Sequence, residues 1–229
     1  MERRTLLIDF DDTLVDFKVA EHYALEAVLN HYGLPMDHID IWKFSRINQA
    51  HWEAFQKGEI TKDVVLQRRF EQFFEQRHRQ IDGKEADALF RKTLAEGPLQ
   101  YFPGTEEGLT QLAEHFDLYI VTNGATETQK HRLSRMPFAH LFKDVFISEA
   151  LGQQKPNKAF FDAVFERIGV TDTSDILIVG DALSSDILGG KNAGIATCWF
   201  NPNKVVNDTD IQPDFEVTSF VALYAHLTS

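Results

Sequence analysis

The chain has 229 residues, of which 43% are hydrophobic and 25% charged, and this balance excludes intrinsic disorder. Acidic residues outnumber basic residues by 35 to 23, and the resulting net charge of −12 argues against binding of nucleic acid polymers or anionic membranes. A single cysteine, Cys198, excludes an internal disulfide and a cysteine-based zinc site. The first apolar run, Leu6 to Ile8, is too short for an export signal or a membrane span, so we expect a cytoplasmic protein.

Short apolar runs that end in polar residues predict strands buried on both faces of a sheet. The first run covers residues 5–10, and later ones cover 118–121, 145–147, 176–179 and, more weakly, 196–200. Between the later runs, helical patterns cover residues 105–115, 126–135, 157–168 and 184–193. Thr105 is predicted to be an N-cap, and Thr126 with Gln129 has the spacing of a capping box. The alternation predicts an α/β fold, a parallel sheet with helices on both faces.

The segment between the first two runs has no strand pattern. Amphipathic stretches at 19–32, 37–57, 61–79 and 84–96 predict about four helices instead, and several of them stop at a glycine. We therefore expect two domains, a Rossmann-like α/β core of residues 1–16 and 98–229, and a helical domain of residues 17–97 inserted after the first strand.

Carboxylates cluster at the predicted ends of two strands. Asp9 and Asp11 follow the first strand, and Asp181 follows another, with Asp186 in the first turn of the next helix. Ligands of open α/β sheets bind outside the carboxyl ends of the strands. Because close carboxylates are costly unless a cation neutralises them, and because Mg²⁺ prefers oxygen ligands, this pattern predicts a Mg²⁺ site.

Two further segments predict an anion site beside the carboxylates. A third strand ends at Thr122, whose hydroxyl could bind an anionic oxygen together with the backbone N–H groups from Asn123 onward. Lys155 precedes a helix and offers a compact positive charge, and Pro156 helps to fix the approach to that helix. Carboxylates with a metal, a hydroxyl and a lysine suit a phosphoryl group, and a carboxylate can attack phosphorus.

In this order the four motifs resemble those of the haloacid dehalogenase (HAD) superfamily. The family pattern is Asp-x-Asp-x-Thr, then a strand-end Thr or Ser, then Lys, then Gly-Asp with a second Asp shortly after. Here the motifs read Asp9-x-Asp11-x-Thr13, Thr122, Lys155, and Gly180-Asp181 with Asp186. The resemblance covers nearly the whole chain and implies a HAD core, and the helical insert is similar to the C1-type cap of that superfamily.

The resemblance also implies catalytic roles, residue by residue. Asp9 would be the nucleophile that forms an aspartyl-phosphate. Asp11 would be the general acid for the leaving alcohol and then the base that activates water. Thr122 and the backbone of Asn123 would hold the phosphoryl oxygens. Lys155 would orient both Asp9 and the phosphate and neutralise their charge.

For the metal, the resemblance implies Mg²⁺ bound by the Asp9 carboxylate, the backbone carbonyl of Asp11 and the Asp181 carboxylate. Asp186 would be a further partner of the ion, directly or through water. Thr13 would support the loop that carries Asp11.

A finer resemblance concerns the substrate. The dehalogenase branch of the superfamily lacks the second acid of the first motif, so the presence of Asp11 favours a phosphatase. The Lys155-Pro156 segment, residues 180–187 and residues 193–201 resemble the noncanonical pyrimidine 5′-nucleotidase group. This implies a small-molecule phosphate ester as substrate, namely a pyrimidine nucleoside 5′-monophosphate. We further expect a monomer or a homodimer. The alternatives are a sugar-phosphate or phosphoglycolate phosphatase, a phosphoglucomutase, and a non-catalytic phosphate-binding regulatory protein.

Aromatic residues of the helical insert allow two interpretations. They are Phe17, Trp42, Phe44, Trp52 and Phe55. They either pack the helices against one another, which is the commoner role of such residues, or line a pocket for a nucleobase.

Overall fold

The computed structural model describes residues 4–229, and this part of the chain divides into two compact units. One unit is an α/β unit formed by the described residues up to Phe17 together with Gln100–Ser229. The other unit, Lys18–Leu99, is helical. The first three residues of the expected core segment 1–16 lie outside the described residues. Across residues 4–229, no helix is both long enough and apolar enough to cross a membrane.

The described part of the α/β unit contains one sheet of six parallel strands. They are β1 (Arg4–Ile8), β2 (Phe116–Thr122), β3 (Phe142–Ile147), β4 (Ile176–Gly180), β5 (Ala196–Phe200) and β6 (Phe215–Val217). The strand order is β3-β2-β1-β4-β5-β6, and every neighbouring pair is parallel. The predicted parallel sheet is confirmed. The edge strand β6 was not predicted, because three residues are too few for a periodic signal.

The helical unit contains the four helices that were predicted for this segment. They are α1 (Phe17–His31), α2 (Asp40–Gln56), α3 (Lys62–Glu75) and α4 (Gly83–Glu96). Thr61 caps α3 by accepting the backbone N–H of Val64 at 3.4 Å. The core holds Phe44, Phe70 and Phe90, whose ring centroids lie 5.0–5.5 Å apart. Phe44 therefore packs the helices, whereas Trp42 is 60% exposed.

Six further α-helices belong to the α/β unit in the described range. They are α5 (Thr105–His115), α6 (Thr126–Ser134), α7 (Ser148–Leu151), α8 (Lys158–Ile168), α9 (Leu188–Ala193) and α10 (Phe220–Thr228). The unit also has a 3-10 helix at Ala139–Leu141 and a π-helix at Leu183–Ile187 that contains Asp186 and leads into α9. Helix α8 covers the sheet through an apolar cluster that includes Leu7, Phe161 and Ile178. Helices α5 and α10 pack against each other outside this cluster. Apolar contacts between α8 and the strands β1 and β4 hold this helix on the sheet.

Local helix starts differ from the sequence-based expectations. The N-cap of α5 is Gly104, at a φ of 75°, and Thr105 is already helical, so the predicted Thr105 cap is wrong. The predicted capping box of α6 is also wrong, because Ala125 is the N-cap. The backbone N–H of Thr126 donates to Glu149 at 2.7 Å, and the Gln129 side-chain amide donates to Asp11 and Thr122. Tertiary partners take the places of the predicted local hydrogen bonds.

Candidate active site

The site lies at the carboxyl ends of the three central strands. Strand β1 has β2 on one side and β4 on the other, so Ile8 pairs with both Ile120 and Val179. Asp9 follows Ile8 directly, and its backbone N–H donates to the carbonyl of Val179 at 2.9 Å. The strand order reverses at β1, because the chain continues to β2 on one side of it and later adds β4 on the other. Open α/β sheets bind ligands at such a position.

The side chain of Lys155 is the central cation of the site. Its Nζ lies 2.6 Å from Asp9 Oδ1, 2.6 Å from Asp186 Oδ1 and 2.9 Å from the carbonyl oxygen of Val121. An ammonium has three hydrogens, so these three acceptors use all of its donors. Burial alone would lower the pKa of Lys155, but the carboxylates of Asp186 and Asp9 raise it above its ordinary value. The amine therefore stays charged although it is fully buried.

Asn123 holds the backbone of Lys155 in place. Its side-chain amide donates to the Lys155 carbonyl at 2.9 Å and accepts the Lys155 backbone N–H at 3.0 Å. The peptide between Lys155 and Pro156 is cis. Asn123 was expected to act through its backbone, and the structure adds a side-chain role that links the end of β2 to the lysine.

Asp9, Asp181 and Asp186 lie close enough to share one cation. Each offers a carboxylate oxygen, and the three oxygens lie within 4.8 Å of one another. Burial raises the pKa of Asp9 to about 7 against the opposing effect of Lys155. Burial and the neighbouring carboxylates also raise the pKa of Asp181 well above its usual range. Three carboxylates against one ammonium leave an excess of negative charge, and an all-oxygen donor set suits a hard divalent cation such as Mg²⁺.

Two neighbours shape this carboxylate cluster. A Cβ on Gly180 would lie 2.3 Å from the Asp186 carboxyl group, so only glycine leaves room for that side chain. The Thr13 hydroxyl donates to Asp181 Oδ1 at 3.2 Å and accepts the Asp181 backbone N–H at 3.0 Å. Thr13 was expected to support the Asp11 loop, and its hydrogen bonds join that loop to the end of β4.

Asp11 belongs to a second group of side chains beside the first. Its side chain is 29% exposed, and its two oxygens accept hydrogen bonds from Gln129 Nε2 at 2.7 Å and from Arg132 at 2.5 Å. The hydroxyl of Thr122 accepts from the same Gln129 nitrogen at 3.0 Å and from the Gly124 backbone N–H at 3.1 Å. A hydroxyl that accepts twice retains its own hydrogen for donation, so Thr122 can donate to an anionic oxygen.

Gln129 and Arg132 were missed as site residues by the sequence analysis. They lie three residues apart and therefore on one face of α6. Gln129 was assigned to helix capping, and a helical arginine usually indicates a solvated surface. Only the packing of α6 beside the end of β1 reveals that both side chains reach Asp11.

Comparisons with known proteins agree with this architecture. The family of haloacid dehalogenase-like hydrolases matches residues 6–200 of the chain. The HAD-hydrolase YfnB of Bacillus subtilis (strain 168) is 40% identical over 96% of this chain and 94% of its own length. A crystal structure of YfnB bound to magnesium superimposes with a TM-score of 0.93 at 39% identity and covers all of both chains.

Two further relatives are pyrimidine 5′-nucleotidases. PynA of Streptococcus pneumoniae (strain ATCC BAA-255 / R6) is 36% identical over 94% of this chain and 91% of its own length. YjjG of Escherichia coli (strain K12) is 33% identical, with 93% of each chain covered. The matched length, the parallel sheet and the strand-end motifs agree, and the chain therefore belongs to the haloacid dehalogenase-like hydrolase family.

Proposed function

We propose that this chain is a Mg²⁺-dependent phosphatase that hydrolyses pyrimidine nucleoside 5′-monophosphates through an aspartyl-phosphate. The observation that carries the proposal is the Asp9 carboxylate, which lies at the end of β1 against the Lys155 ammonium at 2.6 Å. Lys155 points one Asp9 oxygen in a fixed direction and supplies positive charge for an anionic ester. A binding protein needs neither a held nucleophile nor an acid such as Asp11 beside it.

In the first step an oxygen of Asp9 attacks the phosphorus of the ester. The bond between phosphorus and the ester oxygen breaks, and Asp11 gives its proton to the departing alkoxide. The Thr122 hydroxyl and the backbone N–H of Asn123 donate hydrogen bonds to the phosphoryl oxygens. Lys155 offsets the negative charge of the group in transfer.

In the second step water releases the phosphate. Asp11, now a carboxylate, takes a proton from water as the water oxygen attacks phosphorus. The bond between phosphorus and Asp9 breaks, so that inorganic phosphate leaves and Asp9 returns to its starting form. Each proton that Asp11 gives in the first step is therefore recovered in the second.

The residues that would hold Mg²⁺ are Asp9, Asp181 and the backbone carbonyl of Asp11, with Asp186 bound directly or through water. When bound, the ion supplies positive charge that offsets the carboxylates and the substrate phosphate. The all-oxygen cluster of three carboxylates supports this assignment. The magnesium in the related YfnB structure supports it independently.

The substrate class rests on the two nucleotidase relatives, which match more than nine-tenths of this chain. We assign the selection of the substrate to the helical unit Lys18–Leu99, which takes the role of a cap. Trp42 is its most exposed tryptophan among the described residues, and the guanidinium of Arg46 lies 4.9 Å from its ring centroid. A base can stack on an exposed indole of this kind.

Phosphate release from a panel of esters tests the proposal. The panel contains pyrimidine and purine nucleoside 5′-monophosphates, phosphoglycolate and a hexose phosphate, each with Mg²⁺. We expect the highest kcat/KM on the pyrimidine nucleotides, and we expect acid quenching to trap ³²P on the protein. Asp9→Asn is close to isosteric and leaves Lys155 paired with Asp186, so it should keep the thermal midpoint while abolishing both turnover and labelling. Full turnover by Asp9→Asn would refute the mechanism, and a clear preference for a sugar phosphate would refute the substrate class.

A further inference from the structure

We propose that Arg132 and Gln129 are positioning residues for the Asp11 carboxyl group and thereby act on the departure of the leaving group. The inference rests on the proposed function, because it concerns the step in which Asp11 protonates the alkoxide. Arg132 holds Asp11 Oδ1 at 2.5 Å and Gln129 holds Oδ2 at 2.7 Å. Each carboxyl oxygen thus has one protein donor, and the side chain has a single defined direction.

Arg132 also sets the orientation of the Gln129 amide. Its Nη1 donates to Gln129 Oε1 at 3.1 Å, and a guanidinium can only donate. The amide nitrogen of Gln129 must therefore face Asp11 and Thr122, to which it donates at 2.7 Å and 3.0 Å. A Cβ on residue 124 would lie 2.5 Å from this amide, so Gly124 provides the room that Gln129 occupies.

The surroundings of Arg132 argue against a role in stability. The side chain is fully buried, with its guanidinium carbon 4.8 Å from the ring centroid of Phe10 and 5.7 Å from that of Phe17. Its Nε and Nη2 have no hydrogen-bond partner within residues 4–229. Burial of donors without acceptors is unfavourable, and the Asp11 side chain is 29% exposed, so removal of Arg132 leaves no fully buried unpaired carboxylate. The contact with Asp11 therefore accounts for the presence of an arginine at this position.

The arrangement fixes the direction of the Asp11 carboxyl group by contacts of the protein itself. A general acid acts only when it is held within hydrogen-bond reach of the atom that it protonates. Loss of either donor from α6 therefore lets the Asp11 side chain turn away from the departing alkoxide. Substrates whose leaving group departs as a stable anion need no such proton, so for them this contact has little effect on the first step, in which the aspartyl-phosphate forms.

Two esters with different leaving groups test the inference. A nucleoside 5′-monophosphate releases a poor alkoxide, and p-nitrophenyl phosphate releases a stable phenolate. We expect Arg132→Met to lower the rate of the first step on the nucleotide, measured as release of the alcohol in a single turnover, by roughly 10- to 100-fold, part of the usual contribution of general acid catalysis. On p-nitrophenyl phosphate we expect the same rate to fall by less than about 5-fold, with KM on both esters changed by less than about 3-fold. Lys130→Ala, which removes an exposed lysine of the same helix, is the matched control and should leave both rates unchanged.

A measurement of thermal stability and a second variant distinguish loss of Asp11 positioning from loss of folding. The thermal midpoint of Arg132→Met should equal or exceed that of the unsubstituted chain. Should this variant fail to fold, Gln129→Met should give the same direction of leaving-group selectivity, since it removes the donor to Asp11 Oδ2. Equal losses of the first-step rate on the two esters, a change in KM alone, or no change in that rate would overturn the inference. Absence of turnover by the unsubstituted chain on both esters would instead refute the proposed function and this inference with it.

Discussion

Replacement of Lys155 by methionine should separate the charge of this residue from its shape. Methionine fills the same space but removes the cation that lies 2.6 Å from both Asp9 and Asp186. Removal of one partner from a buried ion pair costs about 3–5 kcal/mol, because the other charge is left buried and unpaired. At about 2–4 °C per kcal/mol for a chain of this size, the thermal midpoint in EDTA should fall by roughly 6–20 °C.

Lys158 provides a matched control on the same segment. Its side chain is 60% exposed and pairs with Asp162 four residues later on the helix surface. Exposed pairs of this kind contribute about 0–1 kcal/mol, so Lys158→Met should shift the midpoint by no more than about 4 °C.

The assay combines thermal unfolding, followed by circular dichroism, with phosphate release in the presence of Mg²⁺. Added Mg²⁺ should recover part of the stability that Lys155→Met loses, since a bound cation offsets the same carboxylates. Turnover should fall by at least about 100-fold, in line with loss of a charged group that stabilises a transition state. If Lys155→Met unfolds in EDTA within about 2 °C of the unsubstituted chain, the buried lysine does not neutralise this cluster.

Three further predictions concern the metal, the carboxylate cluster and the helical unit. EDTA should abolish phosphate release and added Mg²⁺ should restore it, and indifference to chelation would refute the metal assignment. Gly180→Ala should displace Asp186, whose carboxyl group would lie 2.3 Å from the new Cβ, at a cost of about 1–3 kcal/mol and most of the turnover. Unchanged turnover and stability in this variant would show that the cluster tolerates the displacement. Trp42→Ala should raise KM for a nucleotide more than KM for p-nitrophenyl phosphate, since only the nucleotide carries a base. Equal changes for both esters would exclude base stacking on this 60% exposed ring.

Much of the α/β unit could be predicted because its strands are buried on both faces. All five positions of β4 are buried, and such a strand appears in the sequence as an uninterrupted apolar run. The polar residue that ends such a run marks the carboxyl end of a parallel strand. Asp9 and Asp181 were found in this way, and the strand order then places them side by side.

Local patterns failed where a distant residue supplied the stronger partner. Thr126 and Gln129 have the spacing of a capping box, but Glu149 takes the Thr126 N–H and Asp11 takes the Gln129 amide. Helix capping contributes about 1 kcal/mol, which is small enough for a charged tertiary acceptor to displace it. The spacing alone carries no information about such competitors.

The sequence by itself determined the α/β class, the helical insert and the order of the four motifs, because apolar periodicity and strand-end residues are local properties. Only the tertiary structure decided which side chains hold Asp11. Gln129 and Arg132 are separated from it by 118 and 121 residues, and they reach it because β1 and β2 are neighbours in the sheet. Hydrogen bonds across such separations depend on strand order and helix packing. Neither of these can be predicted from the identities of the residues that make the bond.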